Sequence, residues 1–404
     1  MTTSASTPAA LLPISHVLTI NGGSSSIKFA LFESGEPPRR VLSGSVDRIG
    51  SPNSILKIQK HSEPAESISV PEMKPPQALE LLLDRLEAIF PLHSLSGIGH
   101  RIVHGGPDHL EPQRIGAELL ADLKAVVPLD PDHLPSEIAL IESLRQRLPE
   151  IPQIACFDTA FHRHMPLVAK LLPIPRKYLD RGIHRYGFHG LSFTYLMEAL
   201  SQHGAESQGK VLLAHLGSGC SLAAVHRGQS LDTTMGFTPT GGLMMGTRTG
   251  DLDPGILIHL ARAENLSPRD LDRLVNKESG LLGVSGASSD LRDLLSRQEH
   301  ELGAAEAVEL FCYTIRKEIG AYAAVLDGLE TLVFAGGIGE HSPEARRRIC
   351  EGLKYLGVEL DAVENAKNAA VISTEKSSVI VRVIPTDEES VIAKIAFKLI
   401  AENR

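Results

Sequence analysis

The sequence predicts an α/β protein made of two related halves around a cleft, and three observations predict it. The chain has 404 residues, more than one ordinary hydrophobic core accommodates. A strand-turn-strand unit occurs twice. Short apolar strands also alternate with segments of helical spacing through most of the remaining chain.

The first unit occupies residues 16–32: an apolar strand, the loop Asn21-Gly22-Gly23-Ser24-Ser25-Ser26, and a second strand in which Ile27, Phe29 and Leu31 alternate with Lys28 and Ala30. Residues 210–226 repeat the design about 195 residues later, with an apolar run at 211–216, the loop Gly217-Ser218-Gly219-Cys220-Ser221 and a strand at 222–225. Between the copies, residues 76–90 and 117–126 read as helices, and 98–103 and 151–157 as short strands. Further on, Val308, Phe311, Ile315, Ile319 and Tyr322 recur at helical spacing and predict a long buried helix over 304–326. A strand at 331–335 runs into Gly336-Gly337-Ile338-Gly339-Glu340. A last strand at 378–384 reaches Pro385-Thr386-Asp387-Glu388-Glu389 and an amphipathic C-terminal helix. Residues 1–14, rich in Ser, Thr, Ala and Pro without a basic start, read as a frayed tail.

Composition narrows the function. A formal net charge of -9 argues against a general binder of nucleic acid or membrane surfaces, which need clustered cations. Cys156, Cys220, Cys312 and Cys350 form no C-x-x-C pair, which predicts reduced thiols and a cytoplasmic protein. No stretch approaches the roughly 20 apolar residues of a membrane span.

Three Gly/Ser loops, at 22–26, 217–221 and 336–339, follow strands and allow backbone N–H groups to approach an anion. A lone turn of this kind is usually a hairpin. Three of them, two in duplicated settings, point to a nucleotide between the halves. The G-x-x-x-x-G-K-[ST] and G-x-G-x-x-G fingerprints are absent. Arg101 in Gly99-His-Arg-Ile-Val-His-Gly-Gly106 and Arg248 in Gly242-Leu-Met-Met-Gly-Thr-Arg248 each sit among glycines in apolar surroundings. Planar guanidinium groups match carboxylate and phosphate oxygens, so two such loops suit an anionic substrate and a migrating phosphoryl group. His100 and His104 have i, i+4 spacing but no third ligand, which favours structural histidines over zinc. His189 precedes a helix, and Asp158 closes a strand as either a helix cap or a catalytic group.

These motifs, with Phe157-Asp-Thr-Ala-Phe-His162, Tyr186-Gly-Phe-His-Gly190, His215-Leu-Gly-Ser-Gly219, Ser288-Ser-Asp-Leu-Arg292 and Gly337-Ile-Gly-Glu340, resemble the acetate and propionate kinase family of the actin-like ATPase superfamily. The resemblance runs from about residue 17 to the C-terminus. It implies a duplicated actin-like ATPase (ribonuclease H-like) fold with two domains around a nucleotide cleft. The expected divisions are 1–14 tail, 15–158 plus 386–404 N-terminal domain, and 159–385 nucleotide-binding domain. The implied reaction is reversible transfer of the ATP γ-phosphoryl group to acetate, giving acetyl phosphate and ADP, in a homodimer that uses Mg²⁺ or alternatively Mn²⁺.

Carried over by position, the resemblance implies Asn21 and Glu388 at the metal and Lys28 on ATP. Arg101 would bind the substrate carboxylate, Asp158 would be the catalytic acid/base, and His189 and Arg248 would stabilise the transition state. Val103, Phe188 and Pro239 would hold the methyl group. His215, Leu216, Gly217, Ser218 and Gly219, then Asp290, Leu291 and Arg292, and finally Gly337, Ile338, Gly339, Glu340 and His341 would form the nucleotide site. A carboxylic acid with a pKa of about 4 is already ionised at neutral pH and needs no general base. Asp158 is therefore expected to orient Arg101 or metal-bound water, and transfer to be direct and in line.

Four positions depart from the family pattern. Asp130 stands where a phosphoryl-contacting histidine is usual, Ser218 and His341 where asparagine is usual, and Gly241 where glutamate is usual. The expectation is a weakened phosphoryl site, unless Asp130 turns away or His133 substitutes. The competing readings are a kinase of propionate or another short acid, a nucleotide-binding regulator that has lost catalysis, and a metal hydrolase drawing on the 17 histidines.

Overall fold

The computed structural model describes residues 15–23, 26–60 and 63–402; the expected tail at 1–14, Ser24 and Ser25 of the first loop, and the last two residues lie outside them. The strands in chain order are β1 (His16–Gly22), β2 (Ser26–Glu33), β3 (Arg39–Asp47), β4 (Ser54–Lys60), β5 (Glu66–Val70), β6 (Gly97–Ile102), β7 (Gln113–Arg114), β8 (Gln153–Phe157), β9 (Lys210–Leu216), β10 (Cys220–His226), β11 (Gln229–Thr233), β12 (Thr331–Ala335) and β13 (Ile380–Val383). They form two sheets, ordered β5-β4-β3-β2-β1-β6-β8-β7 and β11-β10-β9-β12-β13.

Within the first sheet, β3-β2-β1-β6-β8 has the same order and strand sense as the whole of the second. Three antiparallel strands (β3-β2-β1, β11-β10-β9) are continued by two parallel ones (β6-β8, β12-β13). The repeat read from the sequence is therefore a repeat of topology. β1 and β9 are buried along nearly their whole length, as strands covered on both faces must be.

The helices follow the predicted periodicities. Helix Pro75–Glu87 turns Ala78, Leu79, Leu82, Leu83 and Leu86 inward. Helix Leu302–Val325 buries the predicted Val308, Phe311, Ile315, Ile319 and Tyr322 against β9, β10 and β11. The C-terminal helix Glu388–Ala401 returns to β1, β6 and β8 and also packs on helix Gly190–Ser201. The largest apolar cluster passes from Ile102, Val103 and Phe157 through Phe188 into Leu212, Ala214 and Leu216, so the two halves share a continuous core.

The Gly336 loop differs from its expected form, because residues Gly336–His341 are a short helix. Gly336 has φ +73°, and a Cβ there would stand 2.7 Å from the Leu216 carbonyl oxygen, so only glycine lets the chain turn this close to β9. Behind the helix lies Arg346, fully buried, with no carboxylate among its described partners. Its guanidinium donates to the Gly339 and Glu340 carbonyls, to Asn365 Oδ1 and O, and to Asn368 Oδ1, at 2.6–3.0 Å. A side chain so placed ties the end of the glycine helix to the segment after it. Arg346→Ala strands these acceptors in the interior, with an expected loss of about 3–5 kcal/mol in urea denaturation. Arg346→Lys recovers less than half of it, because one ammonium cannot span the five acceptors.

Candidate active site

The parallel strands of both sheets end at one cleft of about 600 Å³, lined from both halves of the chain. Asn21, Lys28, Arg101, Val103, His133 and Glu388 come from the first sheet and the elements packed on it. Phe188, His189, His215, Gly217, Ser218, Gly219, Pro239, Arg248, Gly337 and Glu340 line the remainder. Most of the residues singled out in the sequence therefore meet in one place.

Arg101 and Asp158 form the best-defined pair. β6 and β8 are parallel neighbours with Arg101 opposite Cys156, and the Asp158 N–H donates to the Ile102 carbonyl at 2.9 Å, which brings the two side chains together. Arg101 Nε and Nη2 donate to Asp158 Oδ2 at 3.0 and 2.6 Å. Among the described residues Asp158 caps no helix and its Oδ1 has no hydrogen-bond partner; the side chain is buried beneath the arginine. Burial opposes the charge on Arg101, but Asp158, Glu388 and Glu137 outweigh it and raise the guanidinium pKa. Glu137, from helix Leu134–Arg147, accepts from the Val103 N–H at 3.0 Å and lies 3.9 Å from Arg101 Nη1.

His189 takes a left-handed backbone, φ +58°, at the start of helix Gly190–Ser201, a costly conformation for a residue with a side chain. Its Nδ1 pairs with Ser221 Oγ at 2.8 Å and its ring stacks on His215 at 4.3 Å. His215 Nδ1 pairs with Ser192 Oγ, which pairs with Thr386 Oγ1, both at 2.8 Å. His189 Nε2 and Arg248 Nη1 lie 3.2 and 3.7 Å from the position a Cβ on Gly219 would take, so a side chain there would crowd both. Burial, then the charges of His215, Arg101 and Arg248, hold His189 well below the ordinary histidine pKa. Burial and the Asp158 carboxylate raise Glu388 to about 7, and its Oε2 accepts from Asn21 Nδ2 at 3.1 Å.

Some predicted residues stand away from the cleft wall. Leu216 is core, and Ile338 and Gly339 belong to the short helix behind Gly337. His341 points outward, 71% exposed, and Gly241 does not line the cleft. Asp290 caps helix Leu291–Arg297 and pairs with the exposed Arg292 at 2.7 Å; this turn adjoins the Gly217 loop through Gly246, whose N–H donates to the Ser218 carbonyl. His100 and His104 are buried, and the described residues contain no group of three or more His, Cys, Asp or Glu able to hold a metal.

Of the alternatives left open at Asp130, the structure has Asp130 buried and His133 lining the cleft. A single 3-10 turn, Val127–Leu129, turns Asp130 inward and brings His133 to the cleft wall. An imidazole is therefore present on this wall. Sequence reading also passed over Glu137, Ser192, Ser221 and Thr386, since a lone polar residue in a helix, strand or loop carries no signal until its partner is known.

The model of the Acetokinase family matches residues 16–394. The chain belongs to this family. An acetate kinase of Rhodopseudomonas palustris is 43% identical over 391 residues, 95% of this chain and 98% of that protein. The acetate kinase structure from Porphyromonas gingivalis has 36% identity and a TM-score of 0.85, covering 95% of this chain and 99% of that one. A propionate kinase structure from Francisella tularensis has 35% identity and a TM-score of 0.90, covering 95% and 100%. The paired sheets are the duplicated actin-like ATPase fold of this family, and the chain is a kinase by membership.

Burial is the largest influence on Glu137 and raises its carboxyl to about 8, with Arg101 and the Val103 N–H pulling the other way. The folded protein thus holds a proton on Glu137 that the unfolded chain releases near pH 4.5. That contribution to stability is complete below pH 4.5 and declines as pH rises towards 8. Glu137→Gln mimics the protonated form, so its stability relative to wild type should improve from pH 5 to pH 8 in denaturant titrations. A difference independent of pH would mean that Glu137 is ionised in the folded protein.

Proposed function

We propose that the chain is an acetate kinase, transferring the γ-phosphoryl group of ATP to acetate and forming acetyl phosphate and ADP reversibly. The observation that carries the reading is Arg101, clamped on Asp158 and lining one cleft with Val103, Phe188 and Pro239 as well as with Lys28, the Gly217 loop, His189 and Arg248. A cation beside a small apolar surface fits a short carboxylate, and the remaining groups fit a polyphosphate.

In this reading the acid binds with its carboxylate on Arg101 and its methyl group against Val103, Phe188 and Pro239. Attack is direct and in line, and no base is required because the acid arrives ionised. Asp158 serves as the mount for Arg101, consistent with both hydrogen bonds of its carboxylate coming from that side chain. His189 supplies a neutral N–H and Arg248 a fixed charge to the phosphoryl oxygens. The nucleotide lies along His215 to Gly219, the turn at Asp290 to Arg292, and Gly337 to His341, with Lys28 on its phosphates.

Asn21 and Glu388 would hold Mg²⁺, or Mn²⁺ in its place. The fit is to an ion that keeps several waters and takes one carboxylate plus substrate phosphates, since the described residues offer no all-protein cage. When bound, the ion neutralises charge on the β- and γ-phosphates.

The domains divide near Asp158 and again near Thr386, so the C-terminal helix belongs to the first. A homodimer is favoured by helix Pro254–Ala263, which is apolar yet has no buried residue and exposes Ile256 and Ile258. A cytoplasmic location accords with the four buried free cysteines, and no described helix is long and apolar enough to cross a membrane.

A hydroxamate assay for acyl phosphate with formate, acetate, propionate and butyrate tests the reading. Acetate should give the highest kcat/KM, with propionate about 5- to 150-fold lower, the effect of one methylene in an apolar pocket. Highest efficiency on propionate would transfer the assignment to that acid, and no product from any acid or donor would leave a nucleotide-binding regulator. Arg101→Lys should lower kcat/KM for acetate by at least about 100-fold, because the two-bond clamp on Asp158 and the planar match to carboxylate are both lost.

A further inference from the structure

Two cleft residues, Phe188 and His189, sit on a loop held by a side chain that does not itself line the cleft. His162 ends the 3-10 turn Ala160–His162 and is 1% exposed. Its Nε2 stands 3.1 Å from the Phe188 carbonyl oxygen and its Nδ1 2.8 Å from Ser230 Oγ in β11. A carbonyl oxygen only accepts, so Nε2 carries the hydrogen. Burial lowers the imidazole pKa to about 4, so the ring is neutral and its Nδ1 accepts from the Ser230 hydroxyl. Both ring nitrogens are thereby engaged inside the protein.

The bond reaches the loop at a sensitive point. The Phe188 carbonyl belongs to the planar peptide that joins Phe188 to His189, so fixing it fixes ψ of the first and φ of the second. That φ is the left-handed +58° of His189, and Gly187 on the other side has φ +77°. A Cβ on Gly187 would lie 2.6 Å from His162 Cδ2, so the loop passes directly against the ring. The ends of the loop are tied elsewhere: Arg185 Nη1 donates to the Thr233 and Thr234 carbonyls at 2.9 and 3.0 Å, and the Gly190 N–H donates to the Asp158 carbonyl at 2.8 Å. Between those ties the Phe188 carbonyl is held by His162.

We propose that His162 is a positioning residue for acid selection, setting through the Phe188 carbonyl how far the Phe188 ring closes on the alkyl group of the acid and where His189 points. The proposal rests on the kinase reading above. Its physical content is that a pocket measures a methylene only if its wall cannot retreat, and the His162 bond keeps that wall in place.

His162→Asn and His162→Gln separate the two bonds of the ring. The Gln amide places an N–H where Nε2 stands and still reaches Phe188; the shorter Asn amide reaches only towards Ser230. For His162→Asn the expected kcat on acetate is lower by about 10- to 100-fold, as a displaced wall misplaces the reacting groups. Discrimination between acetate and propionate should shrink to less than about 3-fold, while KM for ATP changes less than about 2-fold. His162→Gln should stay within about 3-fold of wild type in all three quantities. A general loosening of the protein would lower activity on both acids alike and would not be rescued by Gln. If neither variant folds, Ser230→Ala, which removes only the hydroxyl behind the ring, decides: discrimination should fall by about 2- to 5-fold with KM for ATP unchanged. A folded Asn variant with wild-type kcat and discrimination, a Gln variant as impaired as Asn, or unchanged discrimination in Ser230→Ala each overturns the proposal. A wild-type chain that forms no acyl phosphate from any acid overturns the kinase reading, and this role for His162 with it, before any variant is made.

Discussion

The pair formed by Arg101 and Asp158 is the constraint on which the cleft depends. An arginine near the end of a buried strand is tolerable only if its charge is matched, and the parallel partner β8 presents Asp158 two residues beyond the position opposite Arg101. Both bonds go to one oxygen, so the guanidinium is fixed through Nε and Nη2 while Nη1 lies towards Glu137. The pair adds little net stability as a buried ion pair. Its contribution is geometric: a cation with one defined direction, beside Val103 and Phe188, at the junction of two sheets that share a core.

The fold was legible because its signals are local and repeated. Two strand-turn-strand units with the same alternation forecast a duplication, which the structure carries as the shared order of β3-β2-β1-β6-β8 and the second sheet, and the apolar spacing from Val308 to Tyr322 forecast the helix that covers the second sheet. The Gly336 segment was misread as a loop. Glycines at 336, 337 and 339 speak against a helix on propensity, but Glu340 accepts from the Gly336 N–H and from the Thr386 N–H, closing the turn through a contact 46 residues away. Tertiary contact overrode local preference there.

The candidate site was legible where residue type alone announces chemistry. Arg101 and Arg248 among glycines, and His189 ahead of a helix, stood out before any partner was known. Asp130 and His133 were singled out only as a departure with alternatives left open, because position in a motif is a poor guide to which of two residues one turn apart reaches a cleft. A turn at Val127–Leu129 decides that Asp130 is buried and that His133 faces the opening. Glu137, Ser221 and Arg346 were silent for a related reason: each works by accepting or donating to another group, and that relation exists only in three dimensions.

The charge balance of the cleft follows from these relations. Arg101, Arg248 and Lys28 would repel one another in an empty site, and Asp158 offsets them, with Glu137 and Glu388 contributing only so far as they are ionised. Two of those carboxyls have pKa values raised to about 7 and about 8 by burial, so near neutral pH the wall can take up or release protons as charge enters. An anionic substrate on Arg101 adds negative charge beside Glu137 and favours its protonated form; a cation beside Glu388 favours its ionised form. A cleft of this composition need not keep a fixed excess of positive charge when anions leave it. A cleft lined only by arginine and lysine would instead hold its anions tightly, and bind the ground state as strongly as the transition state.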